Sequence, residues 1–235
     1  MSDHMKRLAA PRAWPIKKKA SVWIVKPSPG AHSAESSMPA IVVLRDMIGV
    51  CDTAREAKRI VGNREVLVGG VPIKDPRMPI GLMDVVSIPK MDVAYRILLT
   101  DKGKLTAHKI DKDQSEWTLC RVEGKSLVKG GKFQIHLSGG RNILSEKDDY
   151  KTGDTVKFNF AENKIVDHYT LGEGSVALII EGNHAGKTEV VSEYTITKGN
   201  GANVVKFQNG GETVEKNVFV IGGKTAAITI PEASE

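Results

Sequence analysis

The stretch Gly182-Asn183-His184-Ala185-Gly186-Lys187-Thr188 comes nearest to a chemical signature in this sequence of 235 residues. A glycine-rich loop that ends in Lys-Thr can cradle phosphates with its backbone amides and reach them with the lysine. The alternation of Val176, Leu178 and Ile180 places a strand before it, as that chemistry requires. The spacing fails. The motif needs four residues between its glycines, whereas three stand here, and Glu181 occupies the place of the first glycine. A helix must also follow, to aim amides at the phosphate. Glu189 to Tyr194 reads as a strand instead, so nucleotide hydrolysis is rejected.

No other constellation supports catalysis. His4, His32, His108, His136, His168 and His184 are scattered without metal-ligand spacing, and a lone histidine is more often a surface or hydrogen-bonded residue than a ligand. Cys51 and Cys120 form no CxxC pair and read as small buried thiols of a cytoplasmic protein. Asp148-Asp149 resembles a solvated loop. There is no nucleophile elbow, no HExxH and no dinucleotide fingerprint. The expectation is a protein that is not an enzyme, with no cofactor, no metal site and no small-molecule substrate.

The residues that remain are cations, and their chemistry is binding to a polyanion. Lys6, Arg7, Arg12, Lys17, Lys18, Lys19 and Lys26 stand against Asp3 alone in residues 1–30. That excess of +6 equals the net charge of the whole chain. Residues 31–90 add +1 and residues 91–235 subtract 1, so the charge is segregated in a way that a pI near 9.2 conceals. The basic segment also holds Pro11, Pro15, Pro27 and Pro29, which favour extended backbone. Trp14 and Trp23 interleave with its lysines. Such an extended arm suits phosphate contact combined with base stacking, or a groove on a protein. With few apolar residues to offset the entropy of ordering, it is expected to be disordered when free. A second cationic group follows: Arg55, Lys58 and Arg59 at i, i+3, i+4 on one helix face, with Arg64, Lys74 and Arg77 beyond.

These cations need elements to hold them. From Ser36 to Val50 the pattern is helical or strand-like. Ser36 or Ser37 is placed to cap, Pro39 suits a first turn, and Ile41, Leu44 and Ile48 share a face, yet Val42-Val43 also fits a strand. Thr53 and Glu56 form a capping box. Ala54, Ala57 and Val61 give that helix its apolar face, and Gly62 is its expected stop. The period then changes to two. Val66–Val68, Gly69-Gly70 and Val71–Ile73 read as a hairpin. From Tyr95 onward alternating apolar residues with glycine turns about every ten residues indicate a barrel or sandwich. A miniature five-strand barrel is expected in the last third. No run of roughly eighteen apolar residues exists, so no membrane span is expected.

The order of these units resembles the small-subunit ribosomal protein family S-four-e of archaea and eukaryotes. The resemblance is carried by His4–Trp14 (HMKRLAAPRAW), Pro29–Ser33, Gly81–Ile88, Leu119–Val122 and Val218–Gly222, in that order along almost the full chain. It implies an α+β, mostly β protein. Residues 1–37 would be the basic extended arm and 38–90 an S-four-type RNA-binding helix/strand domain. Residues 91–170 would form a central β-barrel-like domain, 171–208 a KOW (SH3-like) barrel, and 209–235 a C-terminal extension. The KOW motif has a fixed glycine, here Gly182 or Gly186, next to Lys187. Two departures from the family pattern stand out: Gly62-Asn63-Arg64 follows the helix where many such modules enter a strand, and Ile16-Lys17-Lys18-Lys19 replaces a longer tail.

The function so implied is a structural constituent of the small ribosomal subunit, cytoplasmic on the ribosome. Its partners would be small-subunit ribosomal RNA and neighbouring small-subunit ribosomal proteins, with no membrane. RNA contact is expected from Lys6, Arg7, Arg12, Lys17, Lys18, Lys19, Arg55, Lys58, Arg59, Arg64, Lys74 and Arg77. The alternative is an RNA-binding factor, or an RNA-modifying enzyme that docks through the S-four-type domain. The pseudouridine-synthase version of that alternative needs a Gly-Arg-Leu-Asp context, which the sequence lacks.

Overall fold

The computed structural model describes residues 2–230, so residues 231–235 of the expected C-terminal extension lie outside the described residues. The described residues are mostly β, with three short α-helices and several π- or 3-10-helical turns among many strands, and no helix among them is long and apolar enough to cross a membrane. The chain divides into two compact units. One runs through Leu98 and takes in Lys104–Thr118 and Phe160–Glu162; the other holds Leu99–Gly103, Leu119–Asn159 and the chain from Asn163 onward.

In the first unit the basic segment is folded, contrary to the expected free arm. Strands His4–Lys6 and Trp23–Val25 pair antiparallel, with His4 opposite Val25, Met5 opposite Ile24 and Lys6 opposite Trp23. The connection is tied internally, Arg7 Nε donating to the Lys17 carbonyl at 2.7 Å and Lys18 Nζ to the Ala10 carbonyl at 2.8 Å. Trp14 is only 2% exposed, and its Nε1 donates to the Ser37 carbonyl at 2.7 Å. Burial of an indole removes ~150–250 Å² from water, an upper estimate of about 4–6 kcal/mol. That side chain, with the buried Ala10 and Ile24, contributes part of the offset for ordering that composition did not reveal.

The next strand, Ser37–Pro39, pairs with Pro79–Gly81. Because Ser37 is engaged in that ladder and its hydroxyl donates to the Ser33 carbonyl, neither Ser36 nor Ser37 caps the helix. The helix begins after Pro39, as Ala40–Val42 continuing into a π-helical turn Val43–Ile48 that ends at Gly49 in left-handed backbone (φ 75°). Ala40 through Leu44 are fully buried, which explains the unbroken apolar run that fitted a strand equally well. The helix Ala54–Gly62 follows, with both halves of the capping box formed by Thr53 and Glu56.

The sheet of this unit has the spatial order Val71–Pro72, Leu67–Val68, Val85–Ile88, Val93–Leu99, Leu105–Ile110. Gly69 and Gly70 join the first two strands with φ of 56° and 80°, the positive values that a type I′ hairpin turn demands at both positions. Val85–Ile88 pairs directly with Val93–Leu99, so the domain boundary expected at residue 90 is bridged by a continuous ladder. Arg96 lies within this sheet, 1% exposed. Its guanidinium stacks 4.4 Å from the Trp117 ring and donates to the carbonyls of Gln114 (2.8 Å) and Trp117 (2.9 Å). Burial pushes its pKa down to about 10.

The second unit holds two five-stranded antiparallel sheets. One has the order Arg141–Ser145, Lys132–Leu137, Trp117–Val128, Thr155–Asn159, Lys164–Tyr169. The other has the order Glu212–Val214, Val204–Phe207, Thr188–Thr195, Val176–Ile179, Val218–Gly222. It curls around Ala177, Ile179, Val191, Val205, Phe207 and Val218. The expected five-strand count therefore holds, but the boundary at 208 cuts this sheet, because Glu212–Val214 and Val218–Gly222 are its two edges. Asp154 is buried beneath the first sheet and accepts from Lys151 N, Leu171 N and the ring of His168 (2.8 Å). Tyr194 and Asn203 both donate to Glu215, at 3.0 and 2.7 Å, and fasten the end of the second sheet. Cys51 and Cys120 are both buried.

Candidate nucleic-acid interface

The helix Ala54–Gly62 turns Ala57 and Val61 inward and leaves Arg55, Lys58 and Arg59 exposed. Arg64, just past its end, is exposed as well. None of these four side chains makes an ion pair or side-chain hydrogen bond among the described residues. Two of the nearby acids, Glu56 and Glu65, are committed to other partners. Glu56, three residues before Arg59, accepts from the amides of Asp52 (3.1 Å) and Thr53 (3.4 Å). Those amides hold its carboxylate below the ordinary range. Glu65 is taken by Lys90 at 2.5 Å and by Asn63 at 3.1 Å, which lower its pKa likewise. The capping box thus does two jobs: it starts the helix, and it engages Glu56, an acid three residues from Arg59.

Arg64 itself has φ 59°. Its amide donates to the Val61 carbonyl, and the Glu65 amide to the Ile60 carbonyl. That pair of bonds is a Schellman closure with Arg64 at its left-handed position. Gly62, the stop expected from the sequence, is instead the last helical residue, and the left-handed geometry falls two residues later on a side chain that prefers to avoid it.

The other residues expected to touch RNA divide by what they meet within the chain. Arg12, Lys17 and Lys19 are exposed and unpaired among the described residues, and so is Lys74. Lys6 is exposed with its ammonium 5.7 Å from the Trp23 ring centre. Three cations are occupied within the chain. Arg7 and Lys18 hold the loop of the basic segment, as described above. Arg77 pairs with Asp3 and lies 3.7 Å from Asp75, so it anchors the segment's N-terminal end to the module.

In the C-terminal sheet, Gly182 and Gly186 both have positive φ, 99° and 93°. Their surroundings differ. A Cβ at Gly182 would meet nothing within 4 Å, whereas one at Gly186 would lie 1.9 Å from the Thr100 carbonyl oxygen. Gly186 also donates to the Ile179 carbonyl at 2.8 Å. Lys187 is exposed, and the chain enters the strand Thr188–Thr195 directly after it. The amide cluster of a helix that phosphate binding would require is replaced by a ladder.

Sequence reasoning missed the separate fates of Trp14 and Trp23 and the buried Arg96. For Arg96 a signal existed: a single charge inside the apolar strand Val93–Leu99, next to Ile97-Leu98-Leu99.

Comparison with known proteins gives these features a family. Residues 91–165 match the model described as Ribosomal family S4e. Residues 1–35 match the RS4NT (NUC023) domain, and 42–86 the S4 domain. A small ribosomal subunit protein eS4 from Methanosphaera stadtmanae is 42% identical over 230 residues, covering 97% of this chain and 95% of the relative. The chain belongs to the ribosomal family S4e. The eS4 protein of Archaeoglobus fulgidus is 44% identical over 184 residues, covering 78% of this chain and 77% of that one. The crystal structure of the 30S ribosomal protein S4e from Thermoplasma acidophilum superimposes with a TM-score of 0.70 at 30% identity, covering 80% of this chain and 96% of that chain. The S4 match ends at 86 and the S4e match begins at 91, so in this S4e protein the Val85–Ile88 and Val93–Leu99 ladder joins what the family models separate.

Proposed function

We propose that this S4e chain is a structural component of the small ribosomal subunit that binds ribosomal RNA through its first unit. One observation carries the RNA contact. Arg12, Lys17, Lys19, Arg55, Lys58, Arg59, Arg64 and Lys74 are exposed and unpaired among the described residues, while Glu56, Glu65 and Asp3 are each engaged by other partners. Folded proteins usually distribute opposite charges among one another; cations kept free on an ordered scaffold match phosphates at fixed positions. Such contacts recognise RNA by the shape of its backbone. The family membership supports small-subunit ribosomal RNA as the polyanion, and with it a cytoplasmic, ribosome-bound location.

In the second unit we assign the turn at 182–187 to a KOW-type element whose fixed glycine is Gly186. The unit exposes Leu127 and Leu144, which the register places on opposite faces of its first sheet, as separate contacts suited to neighbouring small-subunit proteins. No reaction is assigned to the chain. Sedimentation of cell extract through a sucrose gradient tests the reading. Co-migration with the small subunit in high salt, at one copy per subunit, is the expected result. Absence from that peak would sink it.

A further inference from the structure

The two-stranded ribbon of the basic segment has two chemically different faces. Successive side chains of a strand point to opposite sides. Met5 and Ile24, directly opposed, turn inward, and Ile24 is buried. Lys6 and Trp23, also directly opposed, turn outward together with His4. Trp23 remains 53% exposed. The His4 ring meets it edge-on with centroids 4.9 Å apart, and the Lys6 ammonium stands 5.7 Å from its centre. The chain's other tryptophans are engaged: Trp14 in the core of its unit and Trp117 beneath Arg96.

We propose that Trp23 is a stacking platform for an unpaired base of the bound RNA, with Lys6 placed for the phosphate of that same nucleotide. This rests on the reading of the chain as an RNA-binding protein and adds a site of a different kind to it. An indole offers every base a π-face, so it favours single-stranded, splayed nucleotides over duplex. At 5.7 Å, near the outer limit of cation–π contact, Lys6 does not seal the ring. The His4 ring stands at 86° to the indole, so it does not stack flat upon it. Charge argues for a nucleic acid over an apolar protein groove. Arg12, Lys17 and Lys19 of the same segment are exposed, and Asp3, the one acid of its first thirty residues, is held by Arg77. The segment that carries the ring therefore has a strong net positive charge.

The test uses the full chain and transcribed small-subunit ribosomal RNA as probe, with affinity measured across salt concentrations. Trp23→Ala and Trp23→Leu should each weaken binding roughly 5- to 150-fold, the range for loss of one stacked base. Trp23→Phe should stay within about threefold, because it keeps a π-face. The salt slope should be unchanged in all three variants, since every cation that meets a phosphate is kept. RNA should quench the tryptophan emission of the unaltered chain, and that component should vanish in Trp23→Phe. Trp23 is exposed, so none of the changes threatens the fold. Trp23→Leu binding as tightly as the unaltered chain would overturn the stacking role. So would normal RNA affinity of Trp23→Ala accompanied by poor retention on the subunit, which would mark a protein groove as the occupant. Failure of the unaltered chain to bind the RNA at all would overturn the underlying RNA reading as well, and is visible before any variant is made.

Discussion

The indole N–H of Trp14 donates to the carbonyl of Ser37, and through that bond the basic segment becomes part of the module that follows it. Ser37 is itself in the ladder with Gly81, so the bond reaches a hydrogen-bonded strand and not a loose loop. Ala13 adds a second tie, its carbonyl accepting from the Leu105 amide at 2.8 Å. Cations carried on this segment are consequently held at fixed positions, which lowers the entropy lost on binding RNA.

Trp14→Ala should release the segment. Emptying a buried aromatic site costs ~3–5 kcal/mol, and the Ser37 carbonyl would lose its partner. Hydrogen exchange should then rise across residues 1–30 while the helix Ala54–Gly62 stays protected. Uniform protection in the variant would show that the ribbon is held without the indole.

The two groups of free cations can be tested separately, by charge removal and not by truncation, since deleting residues 1–30 would also strip Trp14 from the core. Arg55→Gln, Lys58→Gln and Arg59→Gln together should flatten the dependence of log affinity on log salt by roughly 2–3, at about 0.7–0.9 for each phosphate that no longer meets a cation. Arg12→Gln, Lys17→Gln and Lys19→Gln should act similarly. Neither triple change touches a buried face, so the thermal midpoint should hold. A slope unmoved by one triple would show that its cations are only solvated.

Arg64→Gly should raise stability and weaken RNA binding at once. Left-handed backbone costs a non-glycine residue about 1 kcal/mol, partly offset by the greater freedom of glycine in the unfolded chain, so a gain of up to ~1 kcal/mol is expected. The salt slope should fall by the share of a single phosphate. Opposite signs in the two measurements would identify strain retained for the sake of a charge. Loss of stability would place the Arg64 side chain in a structural role.

The pH dependence of stability should carry the mark of Glu56. Its carboxylate is held below the unfolded value of 4.5 by the amides of Asp52 and Thr53. A depressed folded pKa means that the stabilisation is fully present above pH 4.5 and is lost as the pH falls through the folded value. Glu56→Gln keeps an acceptor at the third helical position but cannot titrate. Its denaturation midpoint should therefore fall less steeply on acidification than that of the unaltered chain, with the two curves parallel near neutrality. Equal acid limbs would show that Glu56 contributes nothing through its charge.

Thr53 and Glu56 were legible in the sequence because a capping box is a local device, complete within four residues. The α+β, mostly β character was legible for the same reason, through alternation and glycine turns. What escaped were relationships across long separations. Trp14 and Trp23 share a residue type and a basic context, yet one meets a carbonyl 23 positions away and the other faces water. Arg77 looked like an RNA-binding residue until Asp3, 74 positions away, proved to hold it. The boundary at 90 followed a shift in pattern and that at 208 the family resemblance, whereas the ladders run on across both.

Gly182 and Gly186 provide the sharpest case, since the sequence left both as the fixed glycine of the C-terminal turn. Both backbones are left-handed, so alanine at either should cost about 1–2 kcal/mol from that alone. Only at Gly186 does the new Cβ strike backbone, at 1.9 Å from the Thr100 oxygen. That oxygen is no flexible side-chain end, so the turn must open, at a further ~1–3 kcal/mol. Opening it breaks the bond from Gly186 to Ile179, and Ile179 belongs to the core of the curled sheet. Gly186→Ala should thus lower the thermal midpoint well beyond Gly182→Ala and loosen protection of Val176–Ile179. Equal losses in the two variants would mean that backbone conformation alone sets the requirement, and that the close approach to Thr100 relaxes without cost.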